Sequence, residues 1–226
     1  MIFTLPNILT AEEVADINRR IEKAPLSDGG RTAGKANIQR KNNREVTVSS
    51  PERKGLDEIV RAALERNNDI RLITQPKFIG NILFSLYGEG AFYHDHSDNT
   101  LMSGPERFRA DLSATIFLND PTDYDGGELV LNTDIRPETV KLPKGSIVLY
   151  PTTVLHRVNP VQRGERRVAI LWLQSLVRSP EQRQALLDIG LAISFFIRST
   201  PQGKEHPEAI RLEKVYGNLV RQWAEI

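Results

Sequence analysis

Between Lys77 and Gln174 turn signals divide the chain into short apolar runs at near-regular spacing. FIGNILFSLY (78–87) alternates and stops at Gly88-Glu89-Gly90. Ala91 to Asp98 is the next run, and Asn99 to Arg107, with Gly104-Pro105, reads as a loop. FRADLSATIFLN (108–119) puts Leu112, Ala114, Ile116 and Leu118 on one face. An acidic turn (120–125) leads into GGELVL, and 135–140 is a connection or a short strand. SIVLY follows Pro143-Lys144-Gly145, VLHRV follows Pro151-Thr152-Thr153, and the last strand, Arg166 to Gln174, follows Arg163-Gly164-Glu165. Period two sends alternate side chains to opposite faces, so each run reads as a strand. Some seven such strands predict a sandwich or barrel.

Helical patterns flank this region. A short strand at 2–6 precedes Thr10, an N-cap followed by acidic residues, and a helix to Lys23 with Val14, Ile17 and Ile21 on one stripe. Leu26 to Arg44 is polar and glycine-containing; it reads as a solvated loop or as a wall of a site. A helix over 50–67 buries Leu56, Ile59, Val60 and Leu64, with Pro51 in its first turn. Helices at 180–196 and 208–226 close the chain, joined by 201–207. The expected class is therefore mainly β with flanking helices (α+β). Residues 1–176 form one domain around a core at 78–176, and 177–226 form a C-terminal helical extension.

Composition removes several chemistries. The chain has 226 residues and no cysteine, which excludes disulfides, thiolate metal sites and thiol nucleophiles. Lys plus Arg (30) balance Asp plus Glu (29), giving no charge argument for nucleic acid or membrane partners. The first residues lack a signal-peptide pattern, and no apolar run approaches the roughly 20 residues of a bilayer span. A soluble, cytoplasmic protein is expected.

His96-Ser97-Asp98 places an imidazole and a carboxylate two residues apart, on one face of a strand. With one more histidine they make the facial triad that holds non-haem Fe(II) with open positions. The other histidines are His94, His156 and His206. His206 lies in the polar linker KEHPE and reads as surface. His156 sits in a strand; alone it reads as packed or solvated, but the upstream HxD makes it the candidate third ligand. Arg166 follows ten positions later, and its planar fork suits a carboxylate. Arg167 faces the other way by alternation; a bulge would exchange the two. The competing reading of RGERR is a basic surface turn.

YGEGAFYHDHSD (87–98) resembles the Y-G-x-G-x-x-Y-x-x-H-x-D of Fe(II)/2-oxoglutarate dioxygenases of the prolyl 4-hydroxylase type. LND…DYDGGELVL, PKGSIVLYPTTVLHRVNPV and RRVAILWLQS match the same type in order. KNN (41–43), HSDN and the tail LQSLVRSPEQRQALLDIGLAI…YGNLVRQWAE resemble bacterial PKHD-type hydroxylases, so the resemblance spans nearly the whole chain. It implies a double-stranded β-helix (jelly-roll) core. It implies Fe(2+) on His96, Asp98 and His156 as the catalytic centre, 2-oxoglutarate as cosubstrate on Arg166, and L-ascorbate as reductant. It also implies O2-dependent hydroxylation of an unactivated C–H, with 2-oxoglutarate decarboxylated to succinate and CO2. The family label suggests peptidyl proline or lysine, a small molecule stays open, and related bacterial proteins are associated with iron uptake.

Tyr87 matches the family tyrosine that leans on 2-oxoglutarate; a barrel-core tyrosine is the equal alternative. The family's threonine after GGE is here Leu129, so Arg166 needs help from Tyr87 or a hydroxyl such as Ser113. His94, nominally on the face of His96, is expected at the rim or behind a ligand. Tyr93 lines the approach, Asn99 orients Asp98 or ends the strand, and Asn81 and Gln174 are ligand contacts or structural amides. The rival to an enzyme is a non-catalytic jelly-roll metal- or ligand-binding module; Arg166 speaks against it. The apolar faces of the last helices fit packing on the barrel or a homo-oligomer.

Overall fold

The computed structural model describes residues 1–32, 40–102 and 107–226. Parts of the two loops expected at 26–44 and 99–107 lie outside the described residues. In chain order the elements are β1 (Phe3–Leu5), α1 (Ala11–Lys23), β2 (Leu26–Asp28), β3 (Lys41–Asn42), β4 (Arg44–Val46), α2 (Arg53–Arg66) and α3 (Asn68–Thr74). There follow β5 (Pro76–Ile79), β6 (Leu83–Tyr87), β7 (Phe92–His96), β8 (Leu101–Met102), β9 (Phe108–Arg109), β10 (Leu112–Phe117), β11 (Tyr124–Gly126), β12 (Leu129–Asn132) and β13 (Pro137–Val140). The last are β14 (Ile147–Pro151), β15 (Leu155–Val158), β16 (Val161–Gly164), β17 (Arg166–Ser175), α4 (Pro180–Ser199) and α5 (Pro207–Trp223).

A large sheet runs β1-β14-β10-β17-β6-β4-β2, with β5 also on β17, and a smaller one runs β13-β12-β15-β7-β3. The strand pairs are antiparallel, and the two sheets form the jelly-roll core. The large sheet is buried on both faces. Ala169, Leu171 and Leu173 of β17 join Ala114, Ile116 and Leu149 in one core with Val14, Ile17, Leu56 and Leu64 of the helices. The opposite face supplies Tyr87, Phe117, Val148 and Val168 to a second core with Leu129, Leu131 and Val158 of the small sheet. Double burial explains why all of β10 is buried rather than every other residue.

Several elements depart from the pattern reading. The run at 78–87 breaks into β5 and β6 at Gly80, where a Cβ would sit 2.4 Å from the Phe108 ring. The run at 108–119 splits into β9 and β10. Leu26 to Arg44 is not simply a loop: it contributes β2, β3 and the start of β4 at the sheet edges. Asn67 caps a helix that periodicity missed, α3, by accepting the Ile70 N–H at 2.9 Å; seven residues are too few for a clear stripe. Thr10 and Glu13 form the reciprocal capping box that starts α1. Among the described residues no helix is long and apolar enough to cross a membrane.

Candidate functional site

β7 and β15 are neighbours in the small sheet, and His96 lies directly opposite His156. Asp98 follows β7 by two residues. His96 Nε2 is 3.8 Å from Asp98 Oδ1, and His156 Nε2 is 3.7 Å from Asp98 Oδ2. Donor atoms of all three residues lie within 4.8 Å of one another. Each ring is turned the same way: Nδ1 of His96 donates to the His94 carbonyl (2.8 Å) and Nδ1 of His156 to the Val154 carbonyl (2.9 Å). That leaves both Nε2 atoms aimed at the carboxylate. Burial, then the nearby His156, pushes the His96 imidazole down to about 4, so it is neutral at pH 7. Ser113 Oγ donates to Asp98 Oδ2 at 2.7 Å and shares a 3.1 Å hydroxyl contact with Thr152. Two imidazole nitrogens and a held carboxylate are the donor set of a non-haem Fe(II) site, and these residues could hold that ion.

The three residues sit in the wall of a cavity of about 360 Å³ that also reaches Arg166 and Tyr87. These two are direct cross-strand partners on β17 and β6. Arg166 is 1% exposed, with its guanidinium 5.1 Å from the Tyr87 ring centroid and 5.6 Å from that of Phe117. Among the described residues nothing bonds its Nε or Nη1, and the fully buried Tyr87 hydroxyl is also without a partner. Burial raises that hydroxyl's pKa, while Arg166 opposes the rise. A buried cation lacking an acid is costly; a carboxylate brought in from the cavity would remove the cost. Arg167 is turned outward, to Glu165 (2.8 Å) and Glu22 (3.2 Å).

Register accounts for the placement of two residues beside His96. Between β7 and β15, Tyr93 pairs with Val158 while His96 pairs with His156, so three steps on β7 match two on β15. This bulge brings Tyr93 onto the His96 face despite their odd spacing. Their rings stack with centroids 3.5 Å apart and planes 15° apart. The same bulge turns the His94 ring away, exposed against Phe92; its carbonyl, not its imidazole, holds His96. Ser113 serves Asp98 rather than Arg166. Asn81 and Asn99 line the cavity and Gln174 does not. His206 caps α5, its Nδ1 accepting the Glu208 N–H.

Pattern reading missed Tyr150, Thr115, Trp172 and Lys41, all of which line the cavity. Thr115 was within reach, two residues beyond Ser113 on one strand face. Tyr150 meets the His156 ring edge-on at 5.2 Å. Lys41 is buried in a 2.5 Å ion pair with Glu45, tying the edge of the small sheet to the large one.

Residues 82–174 match the model of the 2OG-Fe(II) oxygenase superfamily, and 181–225 that of the PKHD-type hydroxylase C-terminal domain. A PKHD-type hydroxylase of Thermosynechococcus vestitus is 41% identical over 227 residues, covering all of both chains. The chain belongs to the PKHD-type hydroxylases. One from Bordetella pertussis is likewise 41% identical over 229 residues at full coverage. The fold is similar to that of a prolyl hydroxylase from Trichoplax adhaerens solved with a hypoxia inducible factor peptide fragment. That match has a TM-score of 0.58 and 17% identity, over 82% of this chain and 86% of the other. This PKHD-type hydroxylase is thus an oxygenase of the 2-oxoglutarate and Fe(II) class.

Proposed function

We propose that this PKHD-type hydroxylase hydroxylates an unactivated C–H bond, with Fe(II) held by His96, Asp98 and His156 and 2-oxoglutarate anchored by Arg166 and Tyr87. The observation that carries the reading is the buried Arg166, whose Nε and Nη1 have no partner among the described residues, in the same cavity as the two histidines and the aspartate. Bound together, Fe(II) and 2-oxoglutarate supply O2 activation, in which oxidative decarboxylation to succinate and CO2 delivers the second oxygen atom to the C–H bond.

The protein's share is placement. The carbonyls of His94 and Val154 fix the histidine tautomers, and Ser113 holds the carboxylate. Arg166 and the Tyr87 hydroxyl bind the distal carboxylate of the cosubstrate by charge-assisted hydrogen bonds. The apolar walls, Leu129, Val158 and Ile170 among them, exclude water from the reacting end. Ascorbate would serve as a supporting reductant. Residues 1–176 carry the reaction in the cytoplasm, and 177–226 pack onto them. The substrate is a peptidyl proline or lysine, or a small molecule linked to iron uptake.

Anaerobic titration with Fe(II) and 2-oxoglutarate tests the reading. The expected result is a weak visible charge-transfer band that saturates, with succinate released once O2 is admitted. Absence of both would overturn it.

A further inference from the structure

The C-terminal extension bonds to residues beside the cavity wall without entering the cavity. Phe108 of β9 and Met102 of β8 line the outer cavity and are register partners. They lie near the end of β17 remote from Arg166: Asp111 N–H donates to Leu173 O, and Gly80 N–H to Trp172 O. Phe108 is backed by Phe78 of β5, with ring centroids 4.8 Å apart. Both strands carrying this aromatic pair are held from the C-terminal extension. Gln75, immediately before β5, donates from Nε2 to the Tyr216 hydroxyl of α5 at 2.6 Å.

Arg109, next to Phe108 and so on the opposite face of β9, donates from Nη1 to Glu225 at 2.8 Å. Its other nitrogens fork onto Asp111 at 2.6 and 3.0 Å. Glu225 is fixed in turn: Arg178 donates to it at 2.7 Å, and its own N–H donates to Leu176 O at 2.8 Å beside the Val177–Ala224 bridge. Arg178 and then Arg109 hold its carboxyl down at about 2, so the latch stays charged at any ordinary pH.

We propose that Glu225 is a positioning residue for the substrate-side wall, and that the C-terminal extension thereby shapes the space left for the substrate. The inference rests on the reading of the cavity as the oxygenase site. It gives the family's C-terminal segment a part in the site: Glu225 pulls Arg109 outward, and strand alternation presses Phe108 inward against Phe78.

Hydrogen exchange on the full chain tests it, with Glu225→Gln, Glu225→Asp and a control, Arg163→Gln, that breaks the Asp125 pair elsewhere on the surface. In Glu225→Gln the amides of 107–112 should exchange about tenfold faster while those of β12 and β15 do not change. Glu225→Asp should recover most of the protection. Trp172 lines the same cavity, so in a Trp223→Phe parent its quenching by acrylamide should rise at least twofold in the Gln variant. About 1 M salt should bring the parent to the same level, because screening reaches within a few ångströms. Unchanged exchange at 107–112, equal loosening in β12, or equal loosening in Arg163→Gln would overturn the proposal. The anaerobic Fe(II) and 2-oxoglutarate titration is run on the same samples. A band of equal affinity in parent and Gln variant is expected; no band in the parent sinks the reading of the site, whereas a band with an unmoved wall sinks only the latch.

Discussion

The two ends of the cavity are built on opposite principles. At the His96 end the donor set is held from behind: Nδ1 of His96 and of His156 by carbonyls, Asp98 Oδ2 by Ser113. At the Arg166 end Nε and Nη1 of the guanidinium and the Tyr87 hydroxyl have no partners among the described residues. A held donor set can be assembled before its ion arrives, because its orientation is already set within the protein. An orphaned cation is a cost carried in anticipation of an anion. The first end tells what geometry the chain supplies; the second tells what chemistry the ligand must bring.

If that contrast is right, breaking the two ends gives opposite signatures. Asp98→Ala has the largest effect. Loss of a partner behind a ligand already costs 10–100-fold, so removing the carboxylate itself should lower Fe(II) affinity and succinate formation by more than about 100-fold. Metal content after desalting reads the first and product analysis the second. Arg166→Met should leave Fe(II) bound but weaken 2-oxoglutarate by about 10–100-fold, the worth of a charged hydrogen bond. Without cosubstrate it should be more stable than wild type by about 1–4 kcal/mol, since an apolar side chain replaces an unpaired buried charge. Adding cosubstrate at about 100 times its wild-type Kd should stabilise the wild type by about 2.7 kcal/mol and the variant by only about 0.4–1.4 kcal/mol. Denaturant midpoints with and without 2-oxoglutarate decide both points, and an Arg166→Met protein less stable than wild type in the absence of ligand would break the comparison.

Strand alternation made much of this legible. The opposite facing of Arg166 and Arg167 needs only period two and no bulge between them, whereas Asp98, expected on the same strand as His96, lies two residues past the end of β7. Where a bulge intervenes, the same rule inverts: Tyr93 is on the His96 ring and the His94 ring is outside, because one extra residue on β7 shifts the phase. Long-range partners were also out of reach. Nothing local marks Ser113 as the support of Asp98 or Glu225 as the partner of Arg109; both meetings are made by sheet order and by the return of α5. The short edge strands β2 and β3, and the start of β4 beside β2, look polar because only part of each is covered, so composition made them a loop.

The smallest effect sharpens the held end. Ser113→Ala removes the hydroxyl that donates to Asp98 Oδ2 at 2.7 Å and separates the carboxylate from Thr152. The cavity keeps its shape, because only one buried oxygen is lost. Asp98 keeps its place in the chain but gains rotational freedom, so Fe(II) affinity should fall about tenfold, at the low end for an outer partner. With Fe(II) kept saturating, 2-oxoglutarate should bind as in the wild type, since Arg166 and Tyr87 are untouched. Competition with a coloured chelator measures the first quantity and the charge-transfer band the second. A Ser113→Ala protein with wild-type Fe(II) affinity would mean that the backbone alone orients Asp98, and that the metal end depends less on side-chain partners than its hydrogen bonds imply.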